Sequence, residues 1–172
     1  MNSQEIKRFI EEAFADVAYP GDDLIVYSPA NWEAAEYRAE FAGKHWRDVI
    51  DPALLQRRTA LPMFSIEGLR FYLPAYLIAT IDFPAEAAEW TGPLIRTLYP
   101  DCDPPWVGGE KVRDFAMQEW DRLMRALTAQ QKHVIRLFFE YLLATEPDWQ
   151  WLISAPPGNL LSLVLANYWA QF

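Results

Sequence analysis

The stretch IEGLRFYLPAYLIATI, residues 66–81, is the most continuously apolar part of the sequence and decides the fold class. Ser65 precedes it as a potential helix cap. One face of the resulting helix, at i, i+4, i+7 and i+8 spacing, comprises Leu69, Leu73, Tyr76, Leu77 and Thr80. This spacing predicts the most buried helix of the protein.

Pro74 lies inside this predicted helix. A proline in a helix interior removes one backbone hydrogen bond and clashes with the preceding turn. We therefore expect either a kink in one helix or a split into two pieces, and the sequence does not decide between them.

Capping signals mark helix starts on either side of the central helix. Asn2 is followed three positions later by Glu5, and Thr128 is followed in the same way by Gln131, and each pair matches a capping box. Apolar residues at helical spacing follow both pairs. The sequence therefore predicts an all-α, or nearly all-α, single compact multi-helix domain over residues 1–172, with a proline-interrupted central buried helix.

The composition is that of a folded, acidic protein. Of the 172 residues, 52% are hydrophobic and 15% aromatic, which excludes a wholly disordered chain. The net charge of −9 argues against partners that carry phosphates, because affinity for nucleic acids rests largely on Lys and Arg. We expect no binding to nucleic acid or to anionic membranes. An acidic surface serves solubility alone or attracts a basic protein.

Cysteine usage and the chain start indicate where the protein resides. Cys102 is the only cysteine in the sequence, which excludes an intramolecular disulfide and favours a reducing compartment. The first residues lack the basic start and apolar run of a secretory signal, and no stretch reaches the ~20 apolar residues of a membrane span. We predict a cytoplasmic protein.

Patterns that indicate a cofactor, a metal or a catalytic centre are missing from the sequence. His45 and His133 lack partners at ligand spacing. Asp101 and Asp103 flank Cys102, but adjacent negative charges disfavour the reactive thiolate. We therefore predict no cofactor, no metal site and no catalytic residue.

The segment around Trp106 is the candidate partner-binding surface. Trp106 follows two prolines and the acidic residues Asp101 and Asp103. Tryptophan is enriched at protein interfaces, and acidic groups complement a basic partner. We expect Trp106 to be exposed, and we select Asp101, Asp103 and Trp106 as partner-binding residues.

Four segments resemble one bacterial family: IEEAF (10–14), GLRFYLPAYL (68–77), LTAQQ (127–131) and FEYL (139–142). The family they resemble is a domain of unknown function, family 6714. The segment with the buried proline is the most distinctive of the four. The resemblance implies a small cytoplasmic bacterial protein and carries over no catalytic residues.

Three functions remain open on the sequence. The leading hypothesis is a non-enzymatic protein-binding protein, of the kind represented by acidic immunity proteins that neutralise a basic bacterial toxin. The second is an enzyme whose site is assembled from distant groups, for example His45 with Asp48, Asp82 or Asp101. The third is a homo-oligomeric structural protein. The sequence names no partner, no ligand and no oligomeric state.

Overall fold

A computed structural model describes residues 1–28, 31–99, 110–145, 154–155 and 158–172 of the chain. The fold is all-α, as predicted. The α-helices are α1 (Ser3–Ala13), α2 (Trp32–Phe41), α3 (Pro52–Arg57), α4 (Ile66–Asp82), α5 (Ala88–Leu98), α6 (Glu110–Ala126), α7 (Ala129–Thr145) and α8 (Leu160–Asn167). Short 3-10 helices cover Asp22–Leu24, Trp46–Val49, Leu61–Met63 and Trp169–Gln171.

Extended structure in the described residues is limited to one small hairpin and one isolated bridge. Strands β1 (Ser154–Ala155) and β2 (Gly158–Asn159) pair antiparallel, with Ser154 opposite Asn159. A single bridge joins Val26 to Phe64. These pairs are too short to form a sheet layer.

Helix α4 runs through Pro74 as one continuous helix of 17 residues, so the predicted alternative of two separate pieces is wrong. The Ser65 side chain accepts a hydrogen bond from the Gly68 amide at 2.9 Å and caps its start. Buried residues occur on every side of α4 and not only on the predicted face. A helix that is apolar all round lies inside a protein, which explains the missing polar face.

Contacts within the chain divide it into two compact units. The central unit comprises Phe14–Leu94, and the terminal unit comprises Met1–Ala13 together with Ile95–Phe172. The prediction of a single domain over residues 1–172 stays a prediction.

Aromatic side chains around α4 form the core of the central unit. Neighbouring rings of this cluster lie between 4.8 and 6.3 Å apart, mostly edge to face. That arrangement is favourable because the positive ring edge meets the negative ring face. The cluster consists of Tyr37, Phe41, Phe64, Tyr72 and Tyr76.

The terminal unit is built on contact between α1 and α7. Ile6 and Ile10 of α1 are fully buried. Gln131 at the start of α7 is also buried, and its Nε2 donates to the carbonyl of Ala13 at 3.1 Å. The same side chain accepts from the amide of Thr128 at 3.0 Å, so it completes the predicted capping box. One buried amide therefore fixes the start of α7 and the end of α1.

Candidate functional site

The predicted partner-binding residues Asp101, Asp103 and Trp106 lie outside the described residues. Their assignment stays a prediction. The structure does describe the residues named for the alternative enzyme site, apart from Asp101.

His45 and Asp48 come together, but as a helix cap. His45 Nδ1 accepts a hydrogen bond from the Arg47 amide at 3.2 Å, and Asp48 Oδ2 accepts one from the His45 amide at 3.2 Å. This reciprocal pair starts the 3-10 helix Trp46–Val49. Both side chains satisfy backbone donors that the helix start leaves without partners.

Asp82 lies away from that pair. The His45 ring packs edge-on against Phe71 of α4, with the ring centroids 5.5 Å apart. Asp82 is exposed at the last residue of the same helix, roughly 16 Å further along it at the usual rise per residue. Among the described residues, no group of three or more His, Cys, Asp or Glu is placed to hold a metal ion.

A second polar cluster closes the end of α2. The Gly43 amide donates to the Tyr19 hydroxyl at 2.8 Å and to Asp22 Oδ1 at 3.1 Å, and the Tyr19 hydroxyl donates to Asp22. Tyr72 donates to the carbonyls of Phe41 and Lys44. Gly43 has a φ of 69°, the left-handed conformation of a helix end.

Electrostatics in this cluster keep its groups in their ordinary charge states. Burial, followed by the bond to Asp22, raises the pKa of Tyr19, and burial raises the pKa of Tyr72. The bonds from Tyr19 and Gly43 lower the pKa of Asp22. A general acid or base needs a pKa near the working pH, and these shifts move in the opposite direction. The cluster therefore serves the fold.

Helix α2 carries the exposed surface of greatest interest in the central unit. Its buried side chains are Ala34, Tyr37 and Phe41, at i, i+3 and i+7 spacing. Trp32 precedes Ala34 by two residues, which turns it about 200° away from that stripe. The exposed side of the helix, which we call the α2 face, consists of Trp32, Ala35, Glu36 and Ala39.

Trp32 differs from the other tryptophans that the structure describes. It is 74% exposed, whereas Trp46, Trp90 and Trp169 are at most 1% exposed and Trp120 is half-buried. Two further large apolar side chains are exposed just before α2: Leu24 at 53% and Tyr27 at 57%.

Acidic residues accompany the α2 face, and part of their charge is offset. The Arg58 guanidinium, only 13% exposed, pairs with Glu36 at 3.1 Å and with Glu40 at 2.8 Å. Arg38 pairs with Asp23 at 2.6 Å.

Glu33, next to Trp32, makes no ion pair with any described residue. Its carboxylate is therefore available to a basic partner beside the exposed indole.

Sequence reasoning missed the α2 face although its signal was present. The stripe of Ala34, Tyr37 and Phe41 marks the buried side of α2, and Trp32 lies opposite to it. Large aromatics are normally buried, so a tryptophan opposite the buried stripe of a helix is the informative exception. An exposed tryptophan beside acidic groups, which was predicted only for the segment around Trp106, is therefore present at Trp32 and Glu36.

These features define an all-α acidic protein with a tryptophan on an exposed helix face. The chain belongs to the family of unknown function DUF6714, whose model matches residues 2–172. Comparison with curated proteins and with solved structures gives no match. No helix among the described residues is both long enough and apolar enough to cross a membrane.

The segments that resemble the family carry core contacts. A Cβ on Gly68 would lie 2.1 Å from the carbonyl oxygen of Ile25, so α4 and that backbone touch directly. Gln131 is the buried cap of α7, and Phe139 and Leu142 are buried on the same helix. These segments account for the fold, and the α2 face lies outside all four of them.

Proposed function

We propose that this protein is a non-enzymatic binding protein of the immunity type, which neutralises a basic bacterial toxin by occupying it through the α2 face. The exposed Trp32 is the observation that carries the proposal. An exposed indole costs solvation in the free protein, and tryptophan is among the residues that contribute most to binding when a partner covers them.

Charge supports a basic partner. The net charge of −9 attracts cationic proteins over the distance at which salt screens charges, roughly 10 Å at 0.1 M ionic strength. Glu33 adds a carboxylate that forms no ion pair with any described residue, and Glu36 is half exposed. Such complementarity raises the rate of association, and an aromatic anchor slows dissociation.

The competing enzyme hypothesis draws less support from the same residues. The side chains of His45 and Asp48 accept hydrogen bonds from the backbone amides of Arg47 and His45, and Asp82 lies at the far end of α4. Cys102 is the only cysteine in the sequence, which favours a reducing compartment. We therefore place the proposed action in the bacterial cytoplasm.

Affinity capture tests the proposal. The immobilised protein is exposed to native bacterial lysate at low and at high salt, in parallel with Trp32→Ala and with Trp106→Ala combined with Asp101→Asn and Asp103→Asn. We expect one stoichiometric basic protein, retained at low salt and lost from Trp32→Ala. If the basic protein were lost only from the variant with three substitutions, the binding surface would instead be assigned to residues 101–106.

A matched variant controls for general effects of removing an exposed aromatic ring. Phe115 of α6 is 51% exposed in the terminal unit, so Phe115→Ala should retain the basic protein. Capture that is equal for wild type and Trp32→Ala, or capture of the chain's own copies alone, would contradict the proposal.

A further inference from the structure

Trp32 and Glu36 place an exposed indole next to an exposed carboxylate on α2. They are four residues apart, and side chains at that spacing are neighbours on one side of a helix. Glu36 also leans toward Trp32, because helical side chains point back toward the N-terminus of their helix. Trp32 is 74% exposed, and the Glu36 side chain is 51% exposed. A partner can therefore reach both groups at once.

Helix α2 already binds one arginine of the protein with the same two kinds of group. The Arg58 guanidinium lies over the Tyr37 ring, 5.3 Å from its centroid. It also pairs with Glu40 at 2.8 Å and with Glu36 at 3.1 Å. The Arg58 side chain is only 13% exposed. An aromatic ring and carboxylates of α2 therefore hold a guanidinium inside the protein.

The exposed indole carries no such cation. Among the described residues, none places a cationic group over the Trp32 ring. Arg38, the basic residue of α2 itself, pairs with Asp23 instead. Glu36 stays half exposed while it pairs with Arg58, and a carboxylate has about four acceptor positions. The ring face and the carboxylate can therefore accept a second guanidinium from outside.

This combination favours arginine over lysine. A guanidinium is planar, so its face stacks on an indole while the N–H groups at its edge donate to a carboxylate. It is also less strongly hydrated than an ammonium group, which makes its transfer from water to the protein surface easier. The net charge of −9 attracts both kinds of cation. The preference for arginine therefore comes from the geometry of the two groups.

We propose that Trp32 and Glu36 form a recognition site for one arginine side chain of the protein partner. The guanidinium stacks on the indole and pairs with the carboxylate. Arg58 is the positioning residue of this site, because it holds Glu36 from the other side. The inference rests on the proposed function and adds the chemistry of the group that the α2 face binds.

Two peptides of equal charge, octa-arginine and octa-lysine, test the preference. Because their charges are equal, long-range attraction to the acidic protein cancels in the ratio of their dissociation constants. Fluorescence anisotropy gives this ratio for wild type and for Trp32→Leu. The preference of wild type for octa-arginine should exceed that of Trp32→Leu by about threefold, the contribution of one exposed cation–π contact.

Heteronuclear NMR locates the contact on the wild-type protein. The indole N–H peak of Trp32 is identified as the peak that Trp32→Leu removes. Octa-arginine should shift this peak more than octa-lysine does at equal saturation, because only the guanidinium stacks on the ring.

A second pair of variants tests the carboxylate. Glu36→Gln removes one negative charge from the site, and Glu12→Gln removes one from the terminal unit. Glu12 is a close match, since its side chain is 52% exposed and pairs with Arg8 at 2.8 Å. Glu36→Gln should weaken octa-arginine binding by about twofold more than Glu12→Gln does. Circular dichroism reports that each variant is folded.

An equal preference for octa-arginine in wild type and Trp32→Leu would overturn the inference, and so would equal losses in Glu36→Gln and Glu12→Gln. Affinity capture separates this failure from that of the proposed function. If capture of the basic protein still required Trp32, the α2 face would remain the binding surface and only arginine recognition would be wrong. If capture did not require Trp32 either, the proposed function would be wrong as well.

Discussion

At the residue scale, Gly68 shows how the absence of one side chain positions a helix. The first turn of α4 lies directly against the backbone of Ile25, where a Cβ on Gly68 would approach the carbonyl oxygen to 2.1 Å. The Ser65 hydroxyl donates to the carbonyl of the adjacent Leu24. The backbone at Leu24 and Ile25 is therefore fixed to α4 by close packing.

Gly68→Ala should lower the free energy of unfolding by about 1–3 kcal/mol, because backbone atoms must move to admit the methyl group. Urea denaturation measures the change. Gly43→Ala is the matched variant, since nothing lies within 4 Å of its added Cβ and only its φ of 69° opposes the substitution. That variant should lose only about 1 kcal/mol. If Gly68→Ala were as stable as wild type, the close contact with Ile25 would be wrong.

At the element scale, a buried hydrogen bond joins α4 to α5. The Trp90 Nε1 donates to Thr80 Oγ1 at 2.9 Å, and the Thr80 hydroxyl donates in turn to the Tyr76 carbonyl at 2.8 Å. Trp90 and Thr80 are both buried, so water cannot replace either bond without entering the core.

Thr80→Val keeps the shape of the side chain but leaves the Trp90 N–H without an acceptor, and it should cost about 1–3 kcal/mol of stability. Thr91 provides a closely matched control on α5. Thr91 is equally buried, but its hydroxyl donates to the carbonyl of Ala87, close to it in the chain. Thr91→Val therefore leaves no N–H or O–H donor without an acceptor. Thermal unfolding of the two variants should therefore differ, with Thr80→Val less stable, and equal losses would argue against the inter-helix bond.

The helices that the sequence predicts best are those whose signal is local. Capping at Ser65 and at Thr128 with Gln131 depends on neighbours three residues away, and both caps form. Continuity through Pro74 was not predictable, because burial of the whole helix outweighs the local cost of proline and only the tertiary structure supplies that burial.

The candidate site was harder to predict than the fold for a related physical reason. The helical spacing of α2 places Trp32 opposite the buried residues of that helix. A prediction from residue type alone would still bury Trp32, because tryptophan is usually buried. The rings of Tyr99, Trp120 and Tyr168 pack together although these residues are far apart in the chain, so no local pattern reveals their contact. His45 and Asp48 were named for the alternative enzyme site, and the structure places both at a helix start.

At the scale of the whole molecule, burial suppresses the ionisation of several tyrosines. It raises the pKa of Tyr37 from 10.0 to about 12, and it also raises the pKa of Tyr72, Tyr76 and Tyr168. The unfolded chain therefore releases these protons at a lower pH than the folded protein does. Above the ordinary tyrosine pKa the unfolded state binds fewer protons, so stability falls as pH rises.

Urea unfolding at about pH 8 and at about pH 11 should show a clear loss of stability at the higher value. The part of the tyrosinate absorbance that comes from these four tyrosines should appear together with unfolding and not before it. Absorbance that reports five or more ionised tyrosines, out of eight in the sequence, while the helical circular dichroism is intact would contradict the burial of these four hydroxyls.

The central claim is that the exposed tryptophan of α2 is the anchor of a protein-binding surface. Trp32 and Phe115 are both exposed aromatic residues on helices, and they lie in different compact units. Each can be replaced in turn by a photo-crosslinking phenylalanine analogue in cells that produce the protein. Exposed positions tolerate such changes with little loss of stability.

Photo-crosslinking in living cells, followed by identification of the adducts, tests this claim most directly. We predict that the analogue at position 32 forms one dominant adduct with a basic protein and that the analogue at position 115 does not. Absence of an adduct at position 32, or the same adducts at both positions, would contradict the α2 face as the binding surface.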